Sequence, residues 1–195
     1  MKLLRHSLVA RIIASLLAIS ALALVSIVVT MTVASDSRGD AAAINVAGSL
    51  RMNTYQIVSA LQRFDQQPGE AARARVTELA ERFEQRLASP ELNDALPRAQ
   101  DHVLQHQHRQ LQARWAEELA PQVARATAGG NVAPDALREP LDELVAEIDA
   151  LVTLLEQNSE SKIQLLSALQ ILFLGLRVYH VFSHIVHNQI QLRSN

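Results

Sequence analysis

The feature that most constrains this chain is an uncharged run of 23 residues, Ile12–Ala34, near its N-terminus. At a rise of 1.5 Å per residue, a helix of this length crosses a hydrocarbon core of about 30 Å. The apolar core of a signal peptide runs about 7–15 residues, and no clear small-residue cleavage site follows this run. We therefore favour a retained transmembrane helix. Lys2, Arg5 and Arg11 precede it, which places residues 1–11 in the cytoplasm and the following chain outside.

Beyond this run, four segments carry apolar residues at helical spacing, and no segment alternates with the period of two that is typical of strands. Ala, Leu, Glu, Gln and Arg dominate the chain, a mixture that favours helix. The stripes are Ile44, Ala47, Arg51, Thr54, Val58 and Leu61; then Val76, Leu79, Phe83 and Leu87; then Leu104, His108, Leu111, Trp115, Leu119 and Val123; then Leu137, Leu141, Leu144, Ile148, Leu151 and Leu155. We predict an all-α fold, a membrane-anchored antiparallel four-helix bundle over residues 36–160.

Proline and glycine mark the expected boundaries of these helices. Pro68-Gly69 and Gly129-Gly130 predict turns, and Ser89-Pro90 predicts an N-cap followed by a proline in the first helical turn. We expect the third long helix to begin near Pro97 and to be kinked by Pro121.

A second apolar run covers residues 163–176, and its 14 residues are fewer than a span requires. Extending it to residue 186 includes Arg177, and an arginine at the centre of a span costs about 2.5–3.5 kcal/mol on insertion scales. We expect residues 163–186 to form a second, atypical transmembrane helix and residues 187–195 a tail. The change of character near Arg177 suggests a truncated or frameshifted end.

Arg51 is the one charged residue on the first stripe. Spacing alone favours a solvated surface arginine, but Ala47 and Gly48 are small enough for a second helix to approach closely. If two copies pair about a two-fold axis, two Arg51 charges about 4 Å apart repel by about 4 kcal/mol at an effective dielectric near 20. An anion between the two Arg51 side chains turns this repulsion into attraction, because it interacts favourably with each guanidinium. Two guanidinium forks suit a small planar oxyanion. The pattern thus predicts an anion clamp at a dimer interface.

The stretch AINVAGSLRMNTYQ resembles the P-box of nitrate/nitrite sensor histidine kinases of the NarX/NarQ type. The matching residues are Ile44, Asn45, Ala47, Gly48, Ser49, Leu50, Arg51, Met52 and Tyr55. A second stretch, LQARWAEELAP, is similar to the third helix of that family. In looser form the P-box also occurs in the related sensor domain of pilus-type chemotaxis transducers.

This resemblance implies a periplasmic, dimeric four-helix sensor in the bacterial inner membrane that binds nitrate or nitrite between its first helices. It implies a ligand-binding set made of Arg51, the central anion-binding residue, with Gly48, Ala47, Asn45 and Tyr55. Gln56 departs from the family, which often has a second arginine there, and this raises a question about which anion is preferred. The implied partners are nitrate or nitrite, the lipid bilayer and a second copy of the chain.

Catalysis has no support in the sequence, because no kinase motif, phosphate-cradling glycine loop or Ser-His-Asp arrangement occurs in it. Whether the chain serves an enzyme stays open, since it resembles the sensor part of a histidine kinase without the kinase domain. A full-length sensor kinase is therefore a further candidate partner. The net charge of -2 gives no electrostatic case for nucleic acid. The alternative functions are a membrane-anchored helical scaffold and a chemoreceptor-like domain for another small solute.

No cofactor or metal is expected. The chain has no cysteine, which excludes disulfides and thiolate metal sites. His102 and His106 have the i, i+4 spacing of a metal-binding pair, and His180 and His184 repeat it with His187 nearby. Neither group is completed by a clear ligand set, so surface histidines are the favoured interpretation.

Overall fold

A computed structural model describes residues 2–97, 99, 101–129 and 132–193, without the side chains of residues 2–12, 14, 15, 36, 37, 177 and 180–193. The predicted all-α fold is confirmed, because the described part of the chain is helical and contains no strand. The α-helices are α1 (Lys2–Gln66), α2 (Glu70–Leu87), α3 (Pro90–Ala95), α4 (Val103–Ala113), α5 (Ala120–Thr127) and α6 (Arg138–Arg193). A π-helical turn, Arg114–Leu119, joins α4 to α5, and a 3-10 turn, Pro134–Leu137, precedes α6.

Contacts divide the chain into two compact units. One is Arg38–Ser159, and the other combines Met1–Ser37 with Glu160–Asn195. The first unit, called the bundle here, holds the core. The predicted domain boundaries also assign these parts to membrane and periplasm, and that assignment stays a prediction.

Neighbouring helices of the bundle run antiparallel, as their side-chain pairs show. From α1 to α6, Arg51 pairs with Asp149, and further along α1 Leu61 lines the same hollow as Leu141, which lies earlier in α6. The third helix of the bundle runs from α4 through the π-helical turn to α5. In its contact with α2, His108 bonds to Leu87. Trp115, which follows His108 in the chain, stacks on Phe83, which precedes Leu87, with ring centroids 4.2 Å apart. The order of contact reverses in both cases, which is the pattern of antiparallel helices joined by short connections.

The stripes predicted for the second, third and fourth helices are confirmed as core. Every member is buried, including the polar His108 and the large Trp115. Burial of apolar surface contributes about 25 cal/mol per Å², so these stripes supply most of the force that holds the helices together. Trp115, the largest side chain on these stripes, is only 2 % exposed and packs in the core.

The buried stripe of α1 differs in phase from the predicted one. Its fully buried members are shifted so that Leu50 and Ile57, rather than Arg51 and Val58, face the core. Ala47, Thr54 and Leu61 belong to both stripes and are buried. A heptad pattern cannot distinguish two stripes that share every second member, and Arg51 therefore lies beside the core rather than on its centre line.

The third helix begins later than expected. Pro97 lies outside it, and α4 starts at Val103 because the His102 side chain accepts a hydrogen bond from the Leu104 backbone N–H at 3.2 Å. The predicted N-cap is confirmed one element earlier, where the Ser89 hydroxyl accepts from the Leu92 N–H at the start of α3.

A π-helical turn, Arg114–Leu119, lies directly before Pro121 on the third helix, and the expected kink at Pro121 stays a prediction. A proline has no N–H and its ring clashes with the carbonyl four residues earlier, so the chain widens by one residue to relieve the clash. Arg114, in this turn, forms ion pairs with Glu143 and Glu147 of α6. Burial disfavours the Arg114 charge, but its hydrogen bonds to both carboxylates outweigh burial and raise the pKa of the guanidinium.

In the other unit, one helix is long and apolar enough to cross a membrane, judged by length and composition over the described residues. It is α1, whose apolar side chains there are largely exposed, with Leu17 and Leu24 both 65 % exposed. The predicted second span, residues 163–186, falls within α6, but the side chains of Arg177 and of residues 180–186 lie outside those described.

Candidate functional site

The P-box segment, residues 44–56, lies within α1, and its side chains divide between the core and an exposed face. The exposed face carries Arg51 with two large neighbours, Met52 and Tyr55, which are 61 % and 51 % exposed. The five residues implied to bind ligand fall on both sides: Asn45, Arg51 and Tyr55 are exposed, Gly48 is partly buried and Ala47 is fully buried. Ala47 is a core residue of the bundle, and the ligand role of all five stays a prediction.

Arg51 is held by a carboxylate that sequence reasoning did not identify. Its Nη1 donates to Oδ1 of Asp149 on α6 at 2.7 Å, and the two side chains are 46 % and 48 % exposed. Exposed ion pairs contribute about 0.2–1 kcal/mol. The pair therefore orients the guanidinium while leaving it accessible to a competing anion.

Gly48 lies one turn before Arg51 on the same helix. A Cβ built on Gly48 would be 4.0 Å from Nη2 of Arg51, which is ordinary van der Waals contact, and would meet no other side chain or neighbouring helix within that distance. Packing within the described bundle therefore does not require glycine at this position, although glycine in a helix costs about 1 kcal/mol relative to alanine.

A second arginine, Arg86 of α2, fixes the P-box from the other side. Its Nη1 donates to Oδ1 of Asn53 at 3.0 Å and to the backbone carbonyl of Ser49 at 3.4 Å. Sequence reasoning missed Arg86 because it is one of several arginines on a polar helix. The only signal was its place next to Leu87, the last core residue of that stripe.

Gln56 occupies a different surface from Arg51. It lines a groove of about 400 Å³ between the end of α1 and the beginning of α2, together with Arg63 and Arg75. Gln56, where the resembling family often has a second arginine, thus shares a groove with two other arginines, Arg63 and Arg75.

Among the residues that the structure describes, no three His, Asp or Glu side chains are grouped so that they could hold a metal ion. His102 serves as the N-cap of α4, and His106 is exposed. The side chains of His180, His184 and His187 lie outside the described residues.

Residues 32–142 match the family model described as PilJ, type IV pili methyl-accepting chemotaxis transducer N-term. The match covers more than half of the 195 residues and includes the P-box and the first three helices of the bundle. No curated protein matches the chain. The family match supports a chemoreceptor-like sensor, and it carries no support for the nitrate-specific kinase type.

Proposed function

Because the chain belongs to the family of type IV pili methyl-accepting chemotaxis transducer N-terminal domains, we propose that it is the ligand-binding input module of a chemoreceptor-like receptor. The match over residues 32–142 carries this proposal, and it covers the P-box in full. A signal-transduction input also fits a bundle whose first helix, α1, includes an apolar segment suited to a membrane.

The proposed topology follows from charge and hydropathy. Lys2, Arg5 and Arg11 precede the apolar run, so residues 1–11 lie in the cytoplasm and the bundle lies outside, which is the periplasm in a Gram-negative source. The bundle and the first apolar run share α1, so a change in how α1 pairs with another helix is transmitted along one continuous element. Residues 163–186 return the chain to the membrane in this proposal.

A second copy of the chain is the proposed partner of the Arg51 face. Met52 and Tyr55 expose large side chains beside Arg51, and Gly48 leaves room for a close approach. Homo-oligomers most often pair about a two-fold axis, which would bring the two Arg51 side chains toward each other.

Nitrate or nitrite is the candidate ligand at this face, and the accessible guanidinium of Arg51 favours it. A permanently charged, planar fork binds a planar oxyanion through two parallel hydrogen bonds. An anion shared by two such forks removes their mutual repulsion, so ligand binding would tighten the helix pair. Asp149, which already neutralises each Arg51 in part, would be displaced on binding.

Calorimetric titration of the full chain in lipid nanodiscs tests the ligand. Nitrate, nitrite, sulfate and a panel of amino acids are titrated into the wild type, Arg51→Ala and the control Arg73→Ala, an exposed arginine of α2. We expect Arg51→Ala to lose anion binding with its helical content intact, and Arg73→Ala to bind as wild type. Wild-type nitrate affinity in Arg51→Ala would exclude the clamp.

The input role is tested separately from the anion. A hybrid receptor joins the chain to the cytoplasmic signalling region of another chemoreceptor, and its kinase output is measured over the same panel. A response to any member supports the input module, and a response to an amino acid but not to nitrate would replace the nitrate assignment. A folded, membrane-inserted hybrid that responds to none would favour the scaffold alternative.

A further inference from the structure

A groove lies within the bundle between the last turns of α1 and the first turns of α2, away from the Arg51 face. It has a volume of about 400 Å³, within the range of small-molecule sites. Its lining is Gln56, Ser59, Ala60 and Arg63 from α1 and Ala71, Ala72, Arg75 and Leu79 from α2. The two sets follow i, i+3, i+4 spacings, so each helix turns one face into the groove.

The groove exists because small side chains face each other where the helices leave the Pro68-Gly69 turn. Ala60, Ala71 and Ala72 cannot fill the space between the two backbones, and Leu79 closes its inner end as a buried core residue. The floor is therefore apolar, and it would accept a short hydrocarbon body.

The charges around this floor are positive. The lining contains two arginines and no aspartate or glutamate. Arg75 shares Glu78 with Arg82, in exposed ion pairs of 2.7 and 2.5 Å, and Arg63 makes no side-chain ion pair in the described part of the chain. The Arg63 guanidinium is thus available in full and the Arg75 guanidinium in part, and a carboxylate is a group that such forks bind through two parallel hydrogen bonds.

Gln56 supplies the third property of the groove. Its Oε1 is buried without a hydrogen-bond partner, an arrangement that folded proteins rarely leave unexplained. Gln56 also lines the groove, so its amide lies beside the space that a ligand hydroxyl would occupy, and a hydroxyl can pair with an amide because it both donates and accepts. A ligand ammonium group would instead stand close to two arginines and be repelled by them.

We propose that this groove binds a small hydroxycarboxylate, with its carboxylate on Arg63 and Arg75, its hydrocarbon body on the alanine floor and its hydroxyl on Gln56. This site shares no residue with the Arg51 face. It can therefore exist whether or not nitrate binds there, and the two proposals can fail independently.

The test is calorimetry on the full chain in lipid nanodiscs with L-lactate as the probe and propionate as its matched analogue without the hydroxyl. We expect lactate to bind more tightly than propionate. Loss of a charge-assisted hydrogen bond typically costs a tenfold or larger factor in affinity, so Arg63→Gln should weaken lactate binding about tenfold. Arg73→Gln, on the same helix as Arg75 but outside the groove, and Arg51→Ala should bind lactate as wild type does.

Ala72→Leu fills the groove and should abolish binding, and Arg63→Gln keeps the proposal testable if that variant does not fold. Absence of lactate binding to the folded wild type would overturn the proposal, as would equal affinity in Arg63→Gln and Arg73→Gln. Equal affinities for lactate and propionate would overturn the role of Gln56. Loss of lactate binding in Arg51→Ala would show that lactate binds at the Arg51 face and would overturn the proposed groove site.

Discussion

Arg51 and Asp149 hold each other at the surface of the bundle, so an anion that binds Arg51 competes with a carboxylate already in place. The sequence predicted that Arg51 matters, because small neighbours surround a lone charge on an apolar stripe. It could not predict Asp149, which lies 98 positions away on another helix and meets Arg51 only through tertiary packing. The same holds for Arg86, whose contact with Asn53 joins two helices.

Asp149→Asn is expected to raise the affinity for nitrate about two- to fivefold. The substitution removes the competing charge, and an exposed ion pair is worth about 0.2–1 kcal/mol. The measurement is calorimetric titration of nitrate into the full chain in nanodiscs. Asp142→Asn, an exposed acid on the same helix, is the matched control. An affinity that is no higher in Asp149→Asn than in Asp142→Asn would argue against Arg51 as the anion-binding group.

His108 is a titratable residue in the core, and its Nε2 donates to the Leu87 carbonyl at 3.0 Å. Burial lowers the pKa of His108, and its hydrogen bond to the Leu87 backbone partly offsets that effect. The unfolded chain therefore takes up this proton at a higher pH than the folded chain does. Stability from the neutral imidazole is present above its ordinary pKa of about 6.5 and is lost as the pH falls toward the lower folded value.

His108→Gln should flatten the loss of stability below pH 6.5. A single group changes the free energy of unfolding by at most about 1.4 kcal/mol per pH unit, which sets the size of the effect. Urea unfolding followed by circular dichroism at pH 7.5, 6.5 and 5.5 measures it. His106→Gln, at an exposed position of the same helix, is the control. If the free energy of unfolding falls equally with pH in wild type and His108→Gln, a group other than His108 causes the loss of stability in acid.

At the scale of the elements, apolar periodicity predicted the core of three helices because their stripes are wide and unambiguous. It failed on the phase of α1, where Ala47, Thr54 and Leu61 belong to two overlapping stripes and only tertiary packing chooses between them. The late start of α4 depends on the His102 cap, a local hydrogen bond that competes with the stronger proline signal at Pro97. The groove at Gln56 forms between α1 and α2, and the sequence of neither helix alone shows which of its residues will face the other.

Gly48→Ala separates the stability of α1 from its pairing with another helix. Alanine fits within the chain, since its Cβ would meet Arg51 only at 4.0 Å. Helix propensity should therefore stabilise the fold by up to about 1 kcal/mol. If a second helix approaches at Gly48, the same methyl group should weaken nitrate binding and dimer formation.

The measurements for Gly48→Ala are urea unfolding, nitrate calorimetry and the dimer fraction in nanodiscs at several protein concentrations. Gly39→Ala, at an exposed position of the same helix where a Cβ would meet nothing within 4 Å, is the control. A variant that is more stable and binds nitrate as tightly as wild type would show that the Gly48 face has no partner helix.

At the scale of the whole molecule, the proposed anion clamp needs two copies of the chain, paired at the Arg51 face. What the chain does offer is the absence of cysteine, so a single introduced thiol reports on one surface. Met52 is the best position on the Arg51 face because its side chain is large and 61 % exposed. Gln85 on α2 is an exposed position on another helix and provides the control.

Met52→Cys is expected to form a disulfide-linked dimer under mild oxidation, with a yield several-fold above that of Gln85→Cys on a non-reducing gel. A two-fold axis near Arg51 would bring each introduced thiol close to its mate, whereas random collision would treat both positions alike. Nitrate should raise the yield because an anion between the guanidinium groups removes their repulsion and tightens the pair. Adding Arg51→Ala should abolish that increase while leaving the helical content unchanged. Equal yields from the two single-cysteine variants would place the dimer on another face, and a nitrate effect that survives Arg51→Ala would separate the ligand from this arginine.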